Sequence, residues 1–313
     1  MSGFYRRSLS VVFRFLPFAV AFLRDRRRFL LFGAPRRVGA GTHRERAERM
    51  RDTLLDLGPA FIKIGQVLST RPDIVPPTYT EVFETLQDEI PETAGGDPMT
   101  VLGDELGAEL DLSTVEPIAG GSLAFVYTAE YESERIALKV RRPGVKPLIE
   151  RDLRVVRTLL PLASVFVDER KQYSIENAAD DFEEIILDEL DFDRERGIMA
   201  EIGRNLADDD RVVLPDTYEG LSSKRVLAME YLTGRKITDD DAFEGIDAEP
   251  QGMAETITRV FLKMGLVDGV FHADPHPGNL AVTDDGRLLL FDFGMSERLS
   301  AGVRGDIVGL YRA

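Results

Sequence analysis

The chain has 313 residues, contains no cysteine and carries a formal net charge of −16. Its length allows one large core or two smaller ones, and the lack of cysteine excludes disulfides, thiolate metal ligands and a cysteine nucleophile. The acidic balance argues against a nucleic-acid partner, because such proteins neutralise phosphates with basic groups. Only seven of the 39 basic residues are lysine. This composition indicates a salt-adapted source.

The charge is unevenly distributed along the chain. Residues 1–51 contain thirteen arginines and three acidic residues, a surplus of ten positive charges, so the remaining residues carry a net charge of −26. Residues 8–23, SLSVVFRFLPFAVAFL, are apolar, but Arg14 and Pro17 interrupt them, and they are too short and too charged for a membrane span. The pattern predicts a basic amphipathic segment lying on a membrane surface or on the protein's own body. A solvated arm and an export signal are the alternatives.

Two helices, separated by RPDIVPP, are predicted over residues 53–91. The first has Lys63 and Gln66 one turn apart, pointing away from its apolar stripe, and by themselves these two residues favour a solvated face. The stripe repeats at helical spacing and consists of Leu57, Phe61, Ile64 and Leu68.

A small antiparallel sheet is predicted after a glycine-rich break at residues 94–98. Residues 116–142 have the pattern of three strands, the first of which ends in Gly120-Gly121-Ser122. Lys139 is a lone cation within the apolar third strand. Burying an ammonium group costs several kcal/mol unless an anion meets it. Lys139 therefore either faces solvent or has a buried acidic partner.

A long helix predicted over residues 174–206 offers that partner. Its apolar stripe continues through Glu189 and Glu195, where the helical period favours apolar residues. Because carboxylates are rarely buried unpaired, one of these two glutamates is expected to face Lys139. Asp191 by itself favours a surface charge.

Two strands, at residues 211–215 and 225–234, and a helix at residues 254–269 precede the segment HADPHPGN at residues 272–279. Two prolines make this segment a loop, and a hairpin with the turn Asp284-Asp285-Gly286 follows it. Three interpretations compete for the polar residues here. They bind a metal through His272, Asp274 and His276, which the prolines disfavour; they cap turns; or they transfer a phosphoryl group.

Phosphoryl transfer requires a particular set of side chains on neighbouring loops. Asp274 holds or deprotonates a nucleophile, and Asn279, five residues later, binds one Mg²⁺. Asp292, in the sequence Asp-Phe-Gly directly after an apolar strand, binds the second.

The order of these features resembles the protein-kinase-like fold. KIGQ at residues 63–66, ELD at residues 189–191 and HADPHPGN resemble the KxGQ, ExD and catalytic-loop motifs of the UbiB family of atypical kinases. The similarity runs from about residue 50 to residue 298. It implies an α+β, two-lobe kinase-like fold with an N-terminal helical extension that carries KxGQ.

The resemblance also implies a division of the chain into four parts. Residues 1–50 form the basic amphipathic segment and residues 51–93 the KxGQ extension. Residues 114–232 form an N-lobe with inserted helices, and residues 233–313 form part of a C-lobe. Because only nineteen residues follow Gly294, the C-lobe is expected to be truncated.

Roles for individual residues follow from the resemblance. Lys139 would hold the α- and β-phosphates of ATP and pair with Glu195, Asp274 would be the catalytic aspartate, and Asn279 and Asp292 would bind Mg²⁺. The KxGQ and ExD residues would close the active site above the nucleotide; these are Lys63, Gln66, Glu189 and Asp191. The nucleotide would also contact Ala119, Gly120, Gly121 and Ser122, and adenine would meet the backbone of residues 229–232, including Glu230 and Leu232.

One loop departs from the family pattern. The nucleotide loop of the family is alanine-rich and continues Ser-x-Gly-Gln-Val, whereas this chain has AGGSLAFV. Glycines allow closer approach to phosphates, so nucleotide preference is expected to differ from the family's.

The resemblance implies a UbiB-like kinase or ATPase that uses Mg-ATP at a cytoplasmic site, peripheral to the inner face of the cell membrane, in isoprenoid-quinone or related lipid metabolism. The expected partners are a lipid or isoprenoid ligand, a membrane surface and proteins of quinone biosynthesis. The alternative is a non-catalytic nucleotide-gated scaffold or lipid-binding protein. A small-molecule phosphotransferase of the aminoglycoside or choline kinase type would share the catalytic loop but gives no reason for KIGQ or ELD.

Overall fold

The computed structural model of the chain describes residues 2–32, 39–87, 96–164 and 169–312. Within these ranges the α-helices are α1 (Ser2–Phe32), α2 (Ala40–Leu57), α3 (Pro59–Ser69), α4 (Pro77–Glu84), α5 (Pro98–Leu106), α6 (Val145–Ser164), α7 (Glu169–Asp188), α8 (Phe192–Leu206), α9 (Pro250–Leu262) and α10 (Ala301–Arg312). The β-strands are β1 (Glu116–Gly120), β2 (Ala124–Tyr131), β3 (Glu134–Arg141), β4 (Val212–Val213), β5 (Val226–Glu230), β6 (Arg235–Lys236), β7 (Val270–Phe271), β8 (Leu280–Val282), β9 (Leu288–Leu290) and β10 (Glu297–Arg298).

The chain forms two compact units. Unit 1 comprises Met1–Gly96, Gly120–Ala124 and Arg142–Ile186, and unit 2 comprises Asp97–Ala119, Phe125–Arg141 and Leu187–Ala313. Residues 88–95, which contain the end of the predicted extension and the start of the predicted glycine-rich break, lie outside the described residues. The four predicted segment boundaries remain a prediction.

Unit 1 is helical, and its first helix is amphipathic as the sequence predicts. One face of α1 packs on the rest of the unit: Val11 is buried, and the ring of Phe15 lies 6.3 Å from that of Phe61. Arg7 binds the buried Asp152 of α6 through two hydrogen bonds of 2.8 and 2.6 Å. No helix in the described part of the chain is long and apolar enough to cross a membrane.

The first of the two helices predicted over residues 53–91 is divided into α2 and α3 in the structure, and its buried face differs from the predicted stripe. Gly58 has a φ of +93°, a conformation that L residues rarely adopt, and Pro59 begins a new helix. Leu57 therefore belongs to α2, while Ile64 and Leu68 of α3 are only partly buried. Ile62 and Gly65 lie on the buried side instead. The second predicted helix is present as α4, which begins at Pro77, the last residue of RPDIVPP.

After α5, the chain forms a four-stranded sheet in the order β1-β2-β3-β5, in which β3 and β5 are antiparallel. The predicted turn between β2 and β3 lies at Glu132 and Ser133, which both have positive φ. Ile136, Leu138 and Val140 face a core that includes residues of α5. Because side chains alternate along a strand, Lys139 lies on the opposite face.

The helix predicted over residues 174–206 is also interrupted. The chain turns at residues 187–191, where Leu190 N donates to Leu187 O (3.2 Å) and Asp191 N donates to Asp188 O (3.0 Å). The new helix, α8, begins at Phe192 with Asp193 and Glu195 in its first turn, where the helix dipole favours negative charge.

The rest of unit 2 carries the loops of the candidate site. Strands β8 and β9 form the predicted antiparallel hairpin, with Gly286 at a φ of +82° in its turn. They lie in a sheet of order β4-β9-β8-β6, and β7 pairs with β10. Helix α9 continues as a π-helical turn at Lys263–Asp268. Buried side chains of α8, α9, β8 and β9 form one apolar core beneath these loops.

Candidate functional site

Lys139 of β3 lies between two carboxylates of unit 2. Its Nζ is 2.8 Å from Oε1 and 3.0 Å from Oε2 of Glu195, and 2.7 Å from Oδ1 of Asp292. The Lys139 side chain is 11% exposed and that of Glu195 is 3% exposed, whereas that of Asp292 is 49% exposed. Of the two alternatives for Lys139, the structure shows the buried acidic partner, which is Glu195.

The three charges shift one another's protonation. Burial lowers the pKa of Lys139, but the negative charges of Asp292 and Glu195 outweigh burial, and the net shift is upward. Burial raises the pKa of Glu195; Lys139 opposes this shift, Asp292 adds to it, and the value reaches about 7. Lys139 is thus a cation at neutral pH, and Glu195 holds its proton to a higher pH than an exposed glutamate does.

Helix α8 presents Glu195 to β3, and its first residue, Phe192, anchors the start of the helix in the core. Phe192, one turn earlier, is 1% exposed, and its ring centroid lies 5.5 Å from Nζ of Lys139. An ammonium group over an aromatic face gains electrostatic stabilisation. The same helix therefore supplies a carboxylate and an aromatic surface to the lysine.

Asp292 projects from a tight turn directly after β9. Its φ is +48°, a left-handed conformation that aspartate adopts more readily than most residues. The following Phe293 is buried, and Gly294 N donates to Asp292 Oδ1 at 3.2 Å. A side chain at Gly294 would lie 3.2 Å from Asp292 Oδ1 and 3.6 Å from Glu195 Oε2. Glycine therefore leaves room for the carboxylates.

Asp274 and Asn279 are bonded to each other within the HADPHPGN loop. Asn279 Nδ2 donates to Asp274 Oδ2 (2.9 Å) and to the Asp274 carbonyl (3.2 Å). The backbone carbonyl of Asn279 accepts a hydrogen bond from the N–H of Phe291 (2.9 Å), which is the residue before Asp292. The two segments that flank the β8–β9 hairpin thereby place Asp274, Asn279 and Asp292 on adjoining loops.

The two histidines of this loop form hydrogen bonds with the backbone. His272 is buried, and its Nε2 lies 2.7 Å from the Phe291 carbonyl while its Nδ1 accepts from Asp274 N (3.3 Å). His276 Nδ1 accepts from Gly278 N (3.1 Å). Both nitrogens of His272 are thus occupied, which agrees with the turn-capping interpretation. No group of three or more His, Asp or Glu side chains within the described residues is arranged to hold a metal ion.

A magnesium ion bound with a nucleotide would find suitable ligands here. Mg²⁺ prefers oxygen ligands, and it typically takes one or two from the protein and the others from phosphates and water. Asp292 offers a half-exposed carboxylate. The side-chain nitrogen of Asn279 is hydrogen-bonded to Asp274. The side-chain oxygen, Oδ1, is therefore the Asn279 atom that can face a cation.

The two acidic residues of ELD have different surroundings. The Cγ atom of Glu189 would lie 3.2 Å from a Cβ at Gly294, and the charge of Glu189 contributes to the raised pKa of Glu195. Asp191 instead pairs with the exposed Lys224, with Nζ and Oδ2 3.1 Å apart. The structure therefore brings Glu189 close to the lysine cluster, whereas the described contact of Asp191 is with Lys224.

The predicted nucleotide loop, Gly120–Ala124 of unit 1, is a tight turn after Ala119 of β1. Gly121 N donates to Ala124 O (2.7 Å), and Ser122 is buried. Arg142, which sequence reasoning did not select, is 5% exposed and donates from Nε to the Gly121 carbonyl at 2.7 Å. In the sequence, Arg142 could have been recognised as the second of two arginines at the end of an apolar strand.

The KxGQ side chains of unit 1 do not form a solvated face. Lys63 is only 6% exposed, and Gln66 Nε2 donates to the Leu86 carbonyl at 2.9 Å. A Cβ at Gly65 would lie 2.3 Å from Leu86 Cδ1, so the glycine permits close packing at this point. The prediction of a solvated face for Lys63 and Gln66 is therefore wrong. Helical periodicity does not show that another segment, here Leu86 after α4, packs against this face.

The predicted adenine-binding segment, residues 229–232, comprises the end of β5 and the two residues after it. Glu230 pairs with Ile136 of β3, and its N–H donates to the Asp216 carbonyl at 2.8 Å. That N–H therefore cannot also donate to a base. The Glu230 carbonyl and the backbone of Leu232 are left as candidate contacts.

Comparisons with known proteins agree with this architecture. A family model described as the ABC1 atypical kinase-like domain matches residues 85–313. The chloroplastic protein ACTIVITY OF BC1 COMPLEX KINASE 1 of Arabidopsis thaliana is 36% identical over 255 residues, which is 80% of this chain and 37% of that protein. The protein sll0095 of Synechocystis sp. is 36% identical over 318 aligned positions, covering 99% of this chain and 55% of that protein.

A solved structure shares the fold. Rv3197 from Mycobacterium tuberculosis, determined as a complex with erythromycin, matches with a TM-score of 0.52 at 22% identity, over 83% of this chain and 66% of that chain. The chain thus spans about a third to a half of the curated relatives described here. The predicted mixed, kinase-like fold is confirmed. Because the family model matches most of its length, the chain belongs to the ABC1 atypical kinase-like family, the UbiB family of the motif comparison.

Proposed function

We propose that the chain is a UbiB-like atypical kinase or ATPase that uses Mg-ATP at the cluster of Lys139, Glu195 and Asp292. The observation that carries the proposal is the position of the Lys139 ammonium, held 2.7–3.0 Å from both carboxylates. A lysine oriented by a buried glutamate and placed beside a more exposed aspartate is the arrangement that protein kinases use for ATP phosphates and Mg²⁺.

Each residue of the cluster has a distinct task in this proposal. Glu195 is buried and fixes the direction of Lys139, whose ammonium holds the α- and β-phosphates. Asp292 and the side-chain oxygen of Asn279 hold Mg²⁺, whose charge offsets that of the phosphates. Asp292, which contacts Lys139 in the structure, would give up this contact in order to hold the cation.

Asp274 is proposed as the catalytic aspartate. Its carboxylate is oriented by the amide of Asn279 at 2.9 Å, so the acid and one magnesium ligand are positioned together. The hydrogen bond leaves the second carboxylate oxygen of Asp274 to orient a water molecule or an acceptor hydroxyl.

Several further roles are proposed from the motifs. Ala119, Gly120, Gly121 and Ser122 contact the nucleotide phosphates, and Glu230 and Leu232 contact adenine. Lys63 and Gln66 of KxGQ, with Glu189 and Asp191 of ExD, restrict access to the nucleotide. Restricted access favours water or a small or lipid-like acceptor over a protein substrate.

The biological setting proposed is isoprenoid-quinone or related lipid metabolism at the inner face of the cell membrane. A lipid or isoprenoid ligand and proteins of quinone biosynthesis are the proposed partners. The support is membership of the UbiB family, together with the basic, apolar N-terminal helix.

Nucleotide binding is tested by thermal shift with MgADP and MgATP, with and without EDTA. The parent chain is expected to gain stability only with both metal and nucleotide, by about 3 kcal/mol when the nucleotide is present at 100 times its Kd. Asp292→Asn is expected to lose most of this gain. The matched control is Asp284→Asn, which removes an exposed aspartate from the turn of the same hairpin. Equal stabilisation of the parent and Asp292→Asn would reject the assigned metal ligand.

Catalysis is tested separately by steady release of phosphate from Mg-ATP. The parent is expected to turn over, and Asp274→Asn is expected to lower the rate by about 10²–10⁴-fold while retaining the thermal shift, because loss of a general base acts on the chemical step. Nucleotide binding without turnover in the parent would favour the nucleotide-gated scaffold over the enzyme.

A further inference from the structure

Helix α1 exposes a continuous apolar stripe to solvent. Six large apolar side chains on this helix are 40–67% exposed. At about 100° per residue they fall within an arc of roughly 100° on one face. The stripe consists of Tyr5, Leu9, Val12, Phe13, Leu16 and Val20.

The opposite face of α1 is already occupied by unit 1. Arg7 and Val11 lie there, the first bonded to Asp152 and the second buried. Phe15, also on this side, packs near Phe61. The helix is therefore held on the protein by one face, and the exposed stripe is directed away from unit 1. Scattered exposed apolar residues need no explanation, but a contiguous stripe marks an interaction surface.

The charges around the stripe select the kind of partner. Arg6 and Arg24 are exposed at its two ends, about 20° beyond one edge. The helix continues through Arg26, Arg27 and Arg28. Residues 1–51 have a surplus of ten positive charges, while the rest of the chain carries −26. An anionic surface would attract this helix and repel the acidic remainder, which favours contact through α1.

We propose that the exposed stripe of α1 is the surface by which the protein binds a bilayer containing anionic lipid, with the helix lying in the plane of the interface. Apolar side chains enter the boundary of headgroups and acyl chains, and the flanking arginines contact lipid phosphates. This proposal gives a specific surface to the peripheral membrane association in the proposed function, on which it rests. It is independent of nucleotide chemistry.

The dependence on salt separates the two components of binding. At an ionic strength of about 1 M the Debye length falls to about 3 Å, so the attraction of the arginines for lipid is screened. Burial of the apolar stripe persists under these conditions. Binding is therefore expected to weaken with salt but not to vanish, and to depend on the stripe at every salt concentration.

The test is co-sedimentation of the chain with vesicles of phosphatidylglycerol and phosphatidylcholine, compared with phosphatidylcholine alone. The parent is expected to bind the mixed vesicles, and Phe13→Glu/Leu16→Glu is expected to lower the partition coefficient at least tenfold. The matched control is Val267→Glu/Val303→Glu, which adds the same charges at exposed valines of unit 2 and is expected to bind like the parent.

The remaining outcomes decide against the proposal. Equal vesicle binding by the parent and Phe13→Glu/Leu16→Glu would exclude the stripe, as would absence of binding by the parent. If the parent forms dimers that the double variant does not, and neither binds vesicles, the stripe contacts a second copy instead. The MgADP thermal shift, measured on all variants, shows whether the nucleotide site is intact, so failure of either proposal is recognised separately.

Discussion

At the scale of single residues, one ammonium group and two carboxylates define the candidate site. Lys139 and Glu195 are buried, and Asp292 is half exposed. A buried ion pair stabilises little by itself because desolvation offsets its attraction. Gly294 contributes by having no side chain, since a Cβ there would crowd Asp292 and Glu189.

The protonation of Glu195 makes a prediction about stability and pH. Burial and Asp292 outweigh Lys139 and raise the pKa of Glu195 to about 7, above its ordinary value of 4.5. The folded chain therefore binds this proton more tightly than the unfolded chain. The resulting stabilisation is fully present below pH 4.5 and is lost as the pH rises through about 7.

Urea unfolding of the parent and Glu195→Gln between pH 4.5 and 7.5 measures this effect. The free energy of unfolding of the parent, relative to the variant, is expected to fall by about 1–3 kcal/mol over this interval. Glu184→Gln, which removes an exposed glutamate from α7, is the control. A difference between parent and Glu195→Gln that stays constant with pH would contradict the prediction.

At the scale of elements, helix α1 is attached to unit 1 through a buried ion pair. Arg7 contacts both carboxylate oxygens of Asp152, whose side chain is fully buried, and it also donates to the Leu57 carbonyl. Arg14, also of α1, binds Asp56 of α2, but both of these side chains are exposed. The two pairs join similar groups in different surroundings.

Removing the arginine is expected to have unequal effects at these two positions. Arg7→Ala leaves a buried carboxylate without its cation and is expected to cost about 3–5 kcal/mol in the free energy of unfolding of unit 1. Arg14→Ala is expected to cost about 0–1 kcal/mol. Replacing both partners by apolar residues, as in Arg7→Met/Asp152→Leu, is expected to recover most of the loss. Similar losses for Arg7→Ala and Arg14→Ala, measured by urea unfolding, would refute this account.

At the scale of the whole molecule, the charge distribution controls the response to salt. The residues after position 51 carry a net charge of −26, and their mutual repulsion opposes the compact state. Salt shortens the range of this repulsion. A protein with this composition is therefore expected to become more stable as salt is added.

Thermal unfolding in about 0.1 M and about 1 M KCl tests this expectation, since the Debye length falls from about 10 to 3 Å. The Tm is expected to rise over this range. Asp240→Lys, at an exposed position in an acidic run, is expected to raise the Tm at low salt and to reduce the gain from KCl. A Tm that falls with KCl would show that attractive ion pairs dominate the total.

The sequence alone was sufficient for several parts of this protein. It predicted the strands around Lys139 and the hairpin after HADPHPGN, because these depend on local periodicity and turn residues. The kinase-like fold followed from the resemblance of the motifs to those of the UbiB family. The sequence also limited the partner of Lys139 to Glu189 or Glu195.

Residue spacing left Glu189 and Glu195 open, and the family resemblance pointed to Glu195. Only the tertiary structure shows the reason, since the break at residues 187–191 leaves Glu189 outside α8, the helix that presents Glu195 to β3. The tertiary structure also decided that Lys63 is buried, and which face of α1 packs on unit 1 and which is exposed. Periodicity shows that a helix has two faces, but neighbours distant in sequence decide whether each face meets protein or solvent.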